Sequence, residues 1–295
     1  MTLRLDAALV ERGLVRSRNR AQREIRAGRV TVDGKTATKP SVPVSDTADI
    51  TVDNADPWVA RSAHKLIGAL EAFGLDATGL KCLDAGASTG GFTQVLLSRG
   101  AEHVWAVDVG TDQLDSSLRA NPAVTSLEEH NLRELTEDWL DGHKMQMTVA
   151  DVSFISLTLI ARPLLENTDG DLLLMVKPQF EAGRSALDKH GVVTDPRDRA
   201  EAVRSVAEHV ESLGAHLRGI VQSPLPGPTG NIEYFLWANT GQTQRPLSST
   251  SAGEGLDLAS IAEDIRTGAE HPLTIPARTE REDNRADSLG GKEAR

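Results

Sequence analysis

The sequence of 295 residues has few features of an exported, disulfide-stabilised or membrane-spanning protein. Its one cysteine, Cys82, excludes an internal disulfide and a multi-cysteine zinc site. No apolar run approaches the roughly 20 residues that span a bilayer, and the first residues lack the apolar core of a signal peptide. Aromatic residues are only 3% of the chain, which disfavours wide base-stacking surfaces. These absences predict a cytoplasmic protein that needs no membrane and no metal.

Charge is divided unevenly along the chain. The net charge is −11, yet residues 1–50 carry ten Lys or Arg and six Asp or Glu, about +4, which leaves about −15 for the remainder. The patterns over 4–14 and 17–27 are helical, and Val30 to Val32 leads into the hairpin turn Asp33-Gly34. A small α+β segment rich in arginine predicts a module that binds a polyanion such as RNA.

The most informative motif joins an apolar strand to an acidic residue, a glycine-rich turn and the start of a helix. It reads Leu83-Asp84-Ala85-Gly86-Ala87-Ser88-Thr89-Gly90-Gly91-Phe92. Such a turn is the usual place for a nucleotide-like ligand, and its glycines allow positive φ and close approach of a ligand. The Gly-x-Gly-x-x-Gly dinucleotide fingerprint is absent. Because an acidic residue suits a cationic ligand, the motif predicts a site for S-adenosylmethionine, which carries an ammonium and a sulfonium.

Strands alternate with helices after the linker, which predicts a Rossmann-like, mainly parallel sheet with an antiparallel last strand. The predicted strands are 80–84, 103–108, 123–127, 145–151, 171–177, 215–222 and 232–238; the predicted helices are 61–73, 91–99, 112–119, 156–166 and 196–213. The predicted segments are an RNA-binding domain over 1–54, a linker over 55–60, a methyltransferase domain over 61–240, a possible surface helix within 241–270 and a disordered tail over 271–295.

Further ligand-binding candidates lie where the predicted strands end. Asp108, followed by Val109, comes about 20 residues after the glycine turn, where an acidic side chain can bind both ribose hydroxyls of a nucleoside. Asn131 follows the third strand and would border the adenine. Asp151 follows the fourth strand, and its side chain should lie close to the methyl donor.

Four charged residues form a candidate catalytic set around the same crevice: Lys65, Asp151, Lys177 and Glu233. Taken singly, each suits a salt bridge without chemistry. Taken together they suit methyl transfer to a sugar hydroxyl, because a lysine can stabilise a developing alkoxide or act as a base while carboxylates orient it. No metal is needed for this chemistry.

Many segments in the same order resemble the TlyA family of rRNA ribose methyltransferases, which joins a ribosomal-protein-S-four-like domain to an FtsJ-like methyltransferase domain. The segments are Arg16-Ser17-Arg18, Ala27-Gly28-Arg29-Val30, Val32-Asp33-Gly34-Lys35, Lys39-Pro40, Ala63-His64-Lys65-Leu66, the glycine-rich motif, Ala150 to Ser156, Val176 to Phe180, Pro224 to Pro228 and Asn231 to Phe235.

The resemblance implies the Lys65, Asp151, Lys177 and Glu233 tetrad of FtsJ-like 2′-O-methyltransferases and cytidine methylation in 16S and 23S rRNA on ribosomal subunits. It also implies that Phe154 lies near the methionine end of the donor. The residues that it implies for holding RNA are Arg4, Arg18, Lys39, Arg61 and Arg133. Arg16 and Arg20 join this set because they share a three- or four-residue spacing with Arg23 and with Arg26 or Arg29, which places several cations on one stripe.

Three other functions compete with methyl transfer. Members of this family are often named hemolysins, which would imply a membrane-active protein, but no suitable apolar segment is present. Pseudouridine synthases share the head domain, and Arg4-Leu5-Asp6 mimics their catalytic motif; here we expect Asp6 to cap the first helix. A non-catalytic RNA-binding protein would bind S-adenosylmethionine without turnover.

Overall fold

The computed structural model describes residues 2–15, 17–53, 56–241 and 257–267. The predicted RNA contact at residue 16 and the predicted tail over 271–295 lie outside the described residues. The chain divides into two compact units, Met1–Trp58 and Val59–Arg295. The finer segment boundaries at 54, 60 and 240 stay predictions.

The first unit is a small α+β domain. Its elements are β1 (Thr2–Arg4), α1 (Leu5–Glu11), α2 (Arg18–Arg26), β2 (Val30–Val32), β3 (Lys35–Ala37), β4 (Pro43–Ser45) and β5 (Ile50–Val52). Ser17 begins α2 by accepting a hydrogen bond from the Arg20 N–H, and the Asp33-Gly34 turn joins the antiparallel strands β2 and β3. The apolar faces of the helices and of the strands, among them Leu9 and Ile25, form one core.

The second unit contains a larger sheet and the helices packed against it. Its strands are β6 (Lys81–Ala85), β7 (His103–Val107), β8 (Val124–Leu127), β9 (Met145–Ala150), β10 (Thr168–Val176), β11 (His216–Gln222) and β12 (Tyr234–Asn239). Its helices are α3 (Ala63–Phe73), α4 (Gly91–Ser98), α5 (Ser116–Arg119), α6 (Ala161–Glu166), α7 (Pro178–Glu181), α8 (Pro196–Ser212) and α9 (Leu258–Thr267). The central strands are apolar and buried on both faces, as expected for strands covered by helices.

The strand order is β11-β12-β10-β9-β6-β7-β8. Strands β6 to β10 pair in parallel, whereas β12 runs antiparallel to both of its neighbours, β10 and β11. The chain leaves β6 towards β7 and later returns to place β9 on the other side of β6. The carboxyl ends of β6 and β9 therefore flank the point where ligands bind in open α/β sheets. The predicted fold class, a mainly parallel sheet with an antiparallel last strand and a small α+β domain, is confirmed.

Two predicted helices are shorter than the sequence pattern indicates. The segment 112–119 is helical only over α5, because the Glu128 carboxylate accepts hydrogen bonds from the backbone N–H groups of Asp112, Gln113 and Leu114. The segment 156–166 begins as a 3-10 turn before α6 starts at Ala161. Both differences arise from contacts between segments that are distant in sequence.

The helix expected somewhere within 241–270 lies at α9. Ile261 and Ile265 are buried in the same core as Val203 and Val210 of α8. The exposed side of α9 carries the ion pair between Arg266 and Glu263. The helix therefore has one apolar face that belongs to the core of the second unit and one polar face in solvent.

Candidate active site

A cavity opens at the carboxyl edge of the sheet. The side chains of the predicted tetrad, Lys65, Asp151, Lys177 and Glu233, all line it. The residues of the glycine-rich motif that line it are Asp84, Gly86, Ala87, Ser88, Thr89 and Phe92. The structure therefore brings the predicted catalytic set and most of the predicted donor-binding motif to one cavity.

The tetrad is arranged as two ion pairs. The Lys65 Nζ atom lies 2.5 Å from Glu233 Oε2, and both side chains are buried. The Lys177 Nζ atom lies 2.7 Å from Asp151 Oδ1 and donates a 2.9 Å hydrogen bond to Ser153 Oγ. Burying a lysine is costly unless it is paired, and each of these lysines has its own carboxylate.

Asp84 is fully buried at the end of β6, and only one of its oxygens is satisfied. Oδ2 accepts hydrogen bonds from the Thr93 N–H at 2.7 Å and from Thr93 Oγ1 at 2.6 Å, whereas Oδ1 is buried with no partner among the described residues. Burial raises the pKa of this carboxyl to about 7, against the opposing effect of Thr93. A buried acceptor without a partner, at the wall of a cavity, suits a cationic group of a ligand.

Asp108 follows β7, and its carboxylate joins the glycine-rich turn to the turn after β7. One oxygen accepts from the Ser88 N–H at 2.8 Å and the other from the Gly110 N–H at 2.7 Å. Ser88 has a φ of 47° and its hydroxyl donates to Gln113. Asp108 does not line the cavity with Asp84, so its expected contact with ribose hydroxyls stays a prediction.

Different structural constraints favour glycine at the different glycine positions of the motif. Gly86 and Gly90 have φ values of 86° and 94°, whereas Gly91 is helical and does not use the positive φ that glycine allows. A Cβ atom at Gly90 would collide with Leu118, and one at Gly91 with the Ser62 side chain. At these two positions the close approach is therefore made by the chain itself rather than by a ligand.

The three remaining donor-binding candidates lie outside the cavity wall. Val109 is 72% exposed, and Asn131 is exposed and accepts from the Arg133 N–H at the start of a 3-10 turn. Phe154 is 91% exposed, has a φ of 64° and stacks on Phe180 with ring centroids 5.1 Å apart. Their contacts with a donor stay predictions.

The sequence patterns missed several residues that complete the site. Ser62 and Ser153 line the cavity, and Gln179 donates a 3.2 Å hydrogen bond to Glu233 Oε1. Ser153 could have been found, because it follows Asp151 by two residues in a loop at a strand end. Ser62 precedes α3 and carries no comparable signal in the sequence.

Comparisons with known proteins agree with this geometry. Residues 58–240 match the model of the FtsJ-like methyltransferase family, and residues 3–50 match the S4 domain. The chain is 52% identical over 260 residues to the 16S/23S rRNA (cytidine-2′-O)-methyltransferase TlyA of Mycobacterium tuberculosis, covering 87% of this chain and 96% of the relative. The chain belongs to the TlyA group of FtsJ-like methyltransferases.

Two further relatives extend over most of this chain. Hemolysin A of Brachyspira hyodysenteriae is 37% identical and is covered over 98% of its length, with 79% of this chain aligned. A solved structure of a hemolysin-like protein from Streptococcus thermophilus has a TM-score of 0.67 and 31% identity, covering 90% of this chain and 96% of that one. In the part of this chain that the structure describes, no helix has the length and apolar character needed to cross a membrane.

In the S4 domain of this methyltransferase, three of the predicted RNA-binding arginines, Arg4, Arg18 and Arg20, have protein partners. Arg4 and Arg18 both contact the buried carboxylate of Asp6, at 3.0 and 3.3 Å. Asp6 does not cap α1, because its oxygens are directed to these guanidinium groups and α1 has no side-chain cap. The expectation of a capping role for Asp6 is therefore wrong.

Glu24 is a second buried acid of the S4 domain, and three arginines lie close to its carboxylate. Its carboxylate lies 2.5 Å from Arg29, 3.8 Å from Arg23 and 3.9 Å from Arg20. The Arg20 side chain is only 11% exposed and also donates to the Trp58 carbonyl at 2.7 Å. These contacts give Arg20 a structural role, and its predicted contact with RNA remains untested.

The other predicted RNA contacts are exposed. Lys39 lies on the surface of the S4 domain, and Arg133 lies on the surface of the methyltransferase unit. Arg61 is exposed and donates a 2.6 Å hydrogen bond to the Pro226 carbonyl.

Among residues 2–15, 17–53, 56–241 and 257–267, no cluster of three or more His, Cys, Asp or Glu is arranged to hold a metal ion.

Proposed function

We propose that this protein transfers a methyl group from S-adenosylmethionine to the 2′-hydroxyl of a cytidine in ribosomal RNA. The observation that carries the proposal is the meeting of two lysine–carboxylate pairs with the glycine-rich motif in one cavity. Membership of the FtsJ-like family supports methyl transfer. The name of the M. tuberculosis relative supports cytidine in 16S and 23S rRNA as the acceptor.

The residues at the cavity fit S-adenosylmethionine. The unpartnered Oδ1 atom of Asp84 would accept a hydrogen bond from the donor's ammonium group, which would satisfy a buried acceptor. The N–H groups of Gly86, Ala87 and Ser88 already donate to Val107 and Asp108, so within this turn the Thr89 N–H would contact the donor's carboxylate. Asp108 would contact its ribose hydroxyls. When bound, S-adenosylmethionine supplies an electrophilic methyl group on a sulfonium.

Within the remaining donor-binding set, Val109 and Asn131 would border the adenine, and Phe154 would lie near the methionine end. Gly90, Gly91 and Phe92 would act mainly by shaping the turn, since Gly91 packs on Ser62 and the Phe92 ring stacks on Phe235. These assignments can be tested one at a time through donor affinity.

The two lysine–carboxylate pairs would have different roles in the reaction. As the ribose oxygen takes the methyl group from the sulfonium, S-adenosylhomocysteine would be the leaving group and the hydroxyl proton would pass to water. The Lys177 ammonium would stabilise the negative charge that develops on the ribose oxygen. Asp151 and Ser153 hold the Lys177 amine in place. On the other side of the cavity, Glu233 accepts hydrogen bonds from Lys65 and from Gln179. Lys65, held by this carboxylate, would orient the ribose.

Docking of the RNA would rest on phosphate contacts. Lys39, Arg61 and Arg133 are exposed cations on two units of a chain whose net charge is −11. Arg4, Arg18 and Arg20 would contribute to a lesser degree, because their guanidinium groups also serve Asp6, Glu24 and a backbone carbonyl. Such contacts position an RNA without reading its sequence.

The test is incubation of the purified full chain with unmodified 30S and 50S subunits and radiolabelled S-adenosylmethionine, followed by nucleoside analysis. We expect label in 2′-O-methylcytidine and in no base-methylated nucleoside. Donor binding without label on either particle would overturn the proposed reaction. Label in a different 2′-O-methylated nucleoside would retain the chemistry and overturn the choice of cytidine.

A further inference from the structure

One carboxylate joins two loops of the site without lining the cavity. The first loop follows β9 and carries Ser153, and the second begins at Lys177 and continues into α7. Glu181, the last residue of α7, is half-buried between them. Its Oε2 atom accepts a 2.6 Å hydrogen bond from Ser156 Oγ, and its Oε1 atom accepts a 2.8 Å hydrogen bond from the Leu157 N–H.

The loop that Glu181 contacts has a conformation that needs support. Phe154 has a φ of 64° while being almost fully exposed, and a bulky residue rarely adopts the left-handed region unless its surroundings hold it there. Its ring stacks on Phe180, the neighbour of Glu181 in α7. The same loop presents the Ser153 hydroxyl to Lys177. The two bonds of Glu181, the ring contact and the Ser153–Lys177 hydrogen bond thus link the loop after β9 to the segment after β10.

One of the two bonds of Glu181 differs from the other contacts because it holds the backbone of the loop. The contacts at Phe154, Ser153 and Ser156 are made through side chains. The bond to the Leu157 N–H instead fixes a backbone position three residues after Phe154. Removing this acceptor would leave a polar backbone group without its partner and release the loop.

We propose that Glu181 is a positioning residue for methyl transfer, which holds the 153–157 loop so that Ser153 stays against Lys177 and Phe154 keeps its conformation. The inference rests on the proposed function, because it assigns Glu181 to the same reaction. Glu181 acts through the loop and touches neither reactant. Among the donor-binding candidates only Phe154 lies on the loop that Glu181 holds, and the glycine-rich motif lies after β6, so donor affinity should change far less than kcat.

The experiment compares kcat and KM for ribosomal subunits, together with the Kd for S-adenosylmethionine, in the wild type and in Glu181→Ala, Glu181→Gln and Glu166→Ala. Glu166 is an exposed helix-terminal glutamate and serves as the matched control. We expect kcat of Glu181→Ala to fall by about 10- to 100-fold, with KM and Kd within threefold of wild type. Glu181→Gln should recover most of kcat, since its amide can accept from Leu157 and donate to Ser156.

The possible outcomes separate this inference from the proposed function. Absence of methylation by the wild type would count against the proposed function, whereas an active wild type with unchanged kcat in Glu181→Ala would overturn only the inference. Equal losses of kcat and donor affinity would also overturn it, because they indicate general destabilisation. If Glu181→Ala does not fold, Ser156→Ala removes one of the two bonds, and it should lower kcat at unchanged Kd.

Discussion

Two aspartates, one in each unit, have no solvent exposure, yet their pKa values are shifted in opposite directions. They are Asp6 of the S4 domain and Asp84 of the methyltransferase unit. Both oxygens of Asp6 accept hydrogen bonds, mainly from Arg4, and these hold its pKa well below the usual range. Burial raises the pKa of Asp84 to about 7, and one of its oxygens is unsatisfied within the described residues.

This difference distinguishes a carboxylate that stabilises the fold, Asp6, from one that is available to a ligand, Asp84. Asp6 is satisfied by its own domain, so its charge stabilises the fold and needs no ligand. Asp84 is only half satisfied and borders a cavity, which leaves an acceptor for a cationic group. The same contrast applies to the cations: the arginines of the S4 domain surround buried acids, while Lys65 and Lys177 are themselves buried beside the cavity.

The largest expected effect is on catalysis. Lys177→Ala should lower kcat by about 10³-fold, because it removes the cation that stabilises the developing alkoxide. The Kd for S-adenosylmethionine should remain within threefold of wild type. Steady-state methylation of ribosomal subunits and calorimetric donor binding measure the two quantities. Lys144→Ala removes an exposed lysine as a control, and wild-type turnover in Lys177→Ala would contradict the tetrad assignment.

The next effect is on the stability of the S4 domain. Asp6→Asn should destabilise it by about 2 kcal/mol, because charge-assisted bonds to two half-exposed arginines are lost. Hydrogen exchange should become faster over 2–53 and stay unchanged over 61–240. The exposed Asp49→Asn is the matched control. Unchanged exchange in Asp6→Asn would show that its buried charge contributes nothing to the fold.

The pH dependence of this contribution has a definite sign. Since the pKa of Asp6 is lowered on folding, its stabilisation is present above the unfolded carboxyl pKa of about 4 and is lost as the pH falls below it. Acid should therefore increase exchange over 2–53 in the wild type more than in Asp6→Asn. Equal acid sensitivity in the two proteins would contradict this assignment.

The smallest effect is on RNA docking. Lys39→Glu should weaken subunit binding several-fold and reduce the dependence of log K on log salt by about 1, since one phosphate contact is lost. Binding titrations at several salt concentrations measure both quantities. Lys35→Glu makes the same charge change on the neighbouring hairpin. Equal effects of the two substitutions would indicate general repulsion rather than a contact at Lys39.

The sequence predicts two members of the tetrad, Asp151 and Lys177, through a simple geometric rule. Asp151 and Lys177 follow neighbouring parallel strands, and the carboxyl ends of such strands meet at one edge of the sheet. The strand pattern also predicts the antiparallel position of β12. These features depend on local periodicity and on the position of a residue at the end of its strand, both of which are visible in the sequence.

Other features depend on contacts that residue spacing alone does not predict. The helical spacing of Arg20 and Arg23 predicts a row of cations on one helix face, but Glu24 reaches both arginines in the folded domain. Gly91 resembles a ligand-binding glycine, yet it makes room for Ser62. In each case a contact in the folded protein decides what the residue does.

The most direct test of the contrast between the two aspartates is the affinity for S-adenosylmethionine as a function of pH. The Asp84 carboxylate must be ionised to accept from the donor's ammonium, so wild-type binding should be about tenfold weaker at pH 5.5 than at pH 7.5. Asp84→Asn should bind weakly at both pH values, with little difference between them. The same pH dependence in both proteins, or none in the wild type, would contradict the assignment of Asp84 as the donor-binding carboxylate.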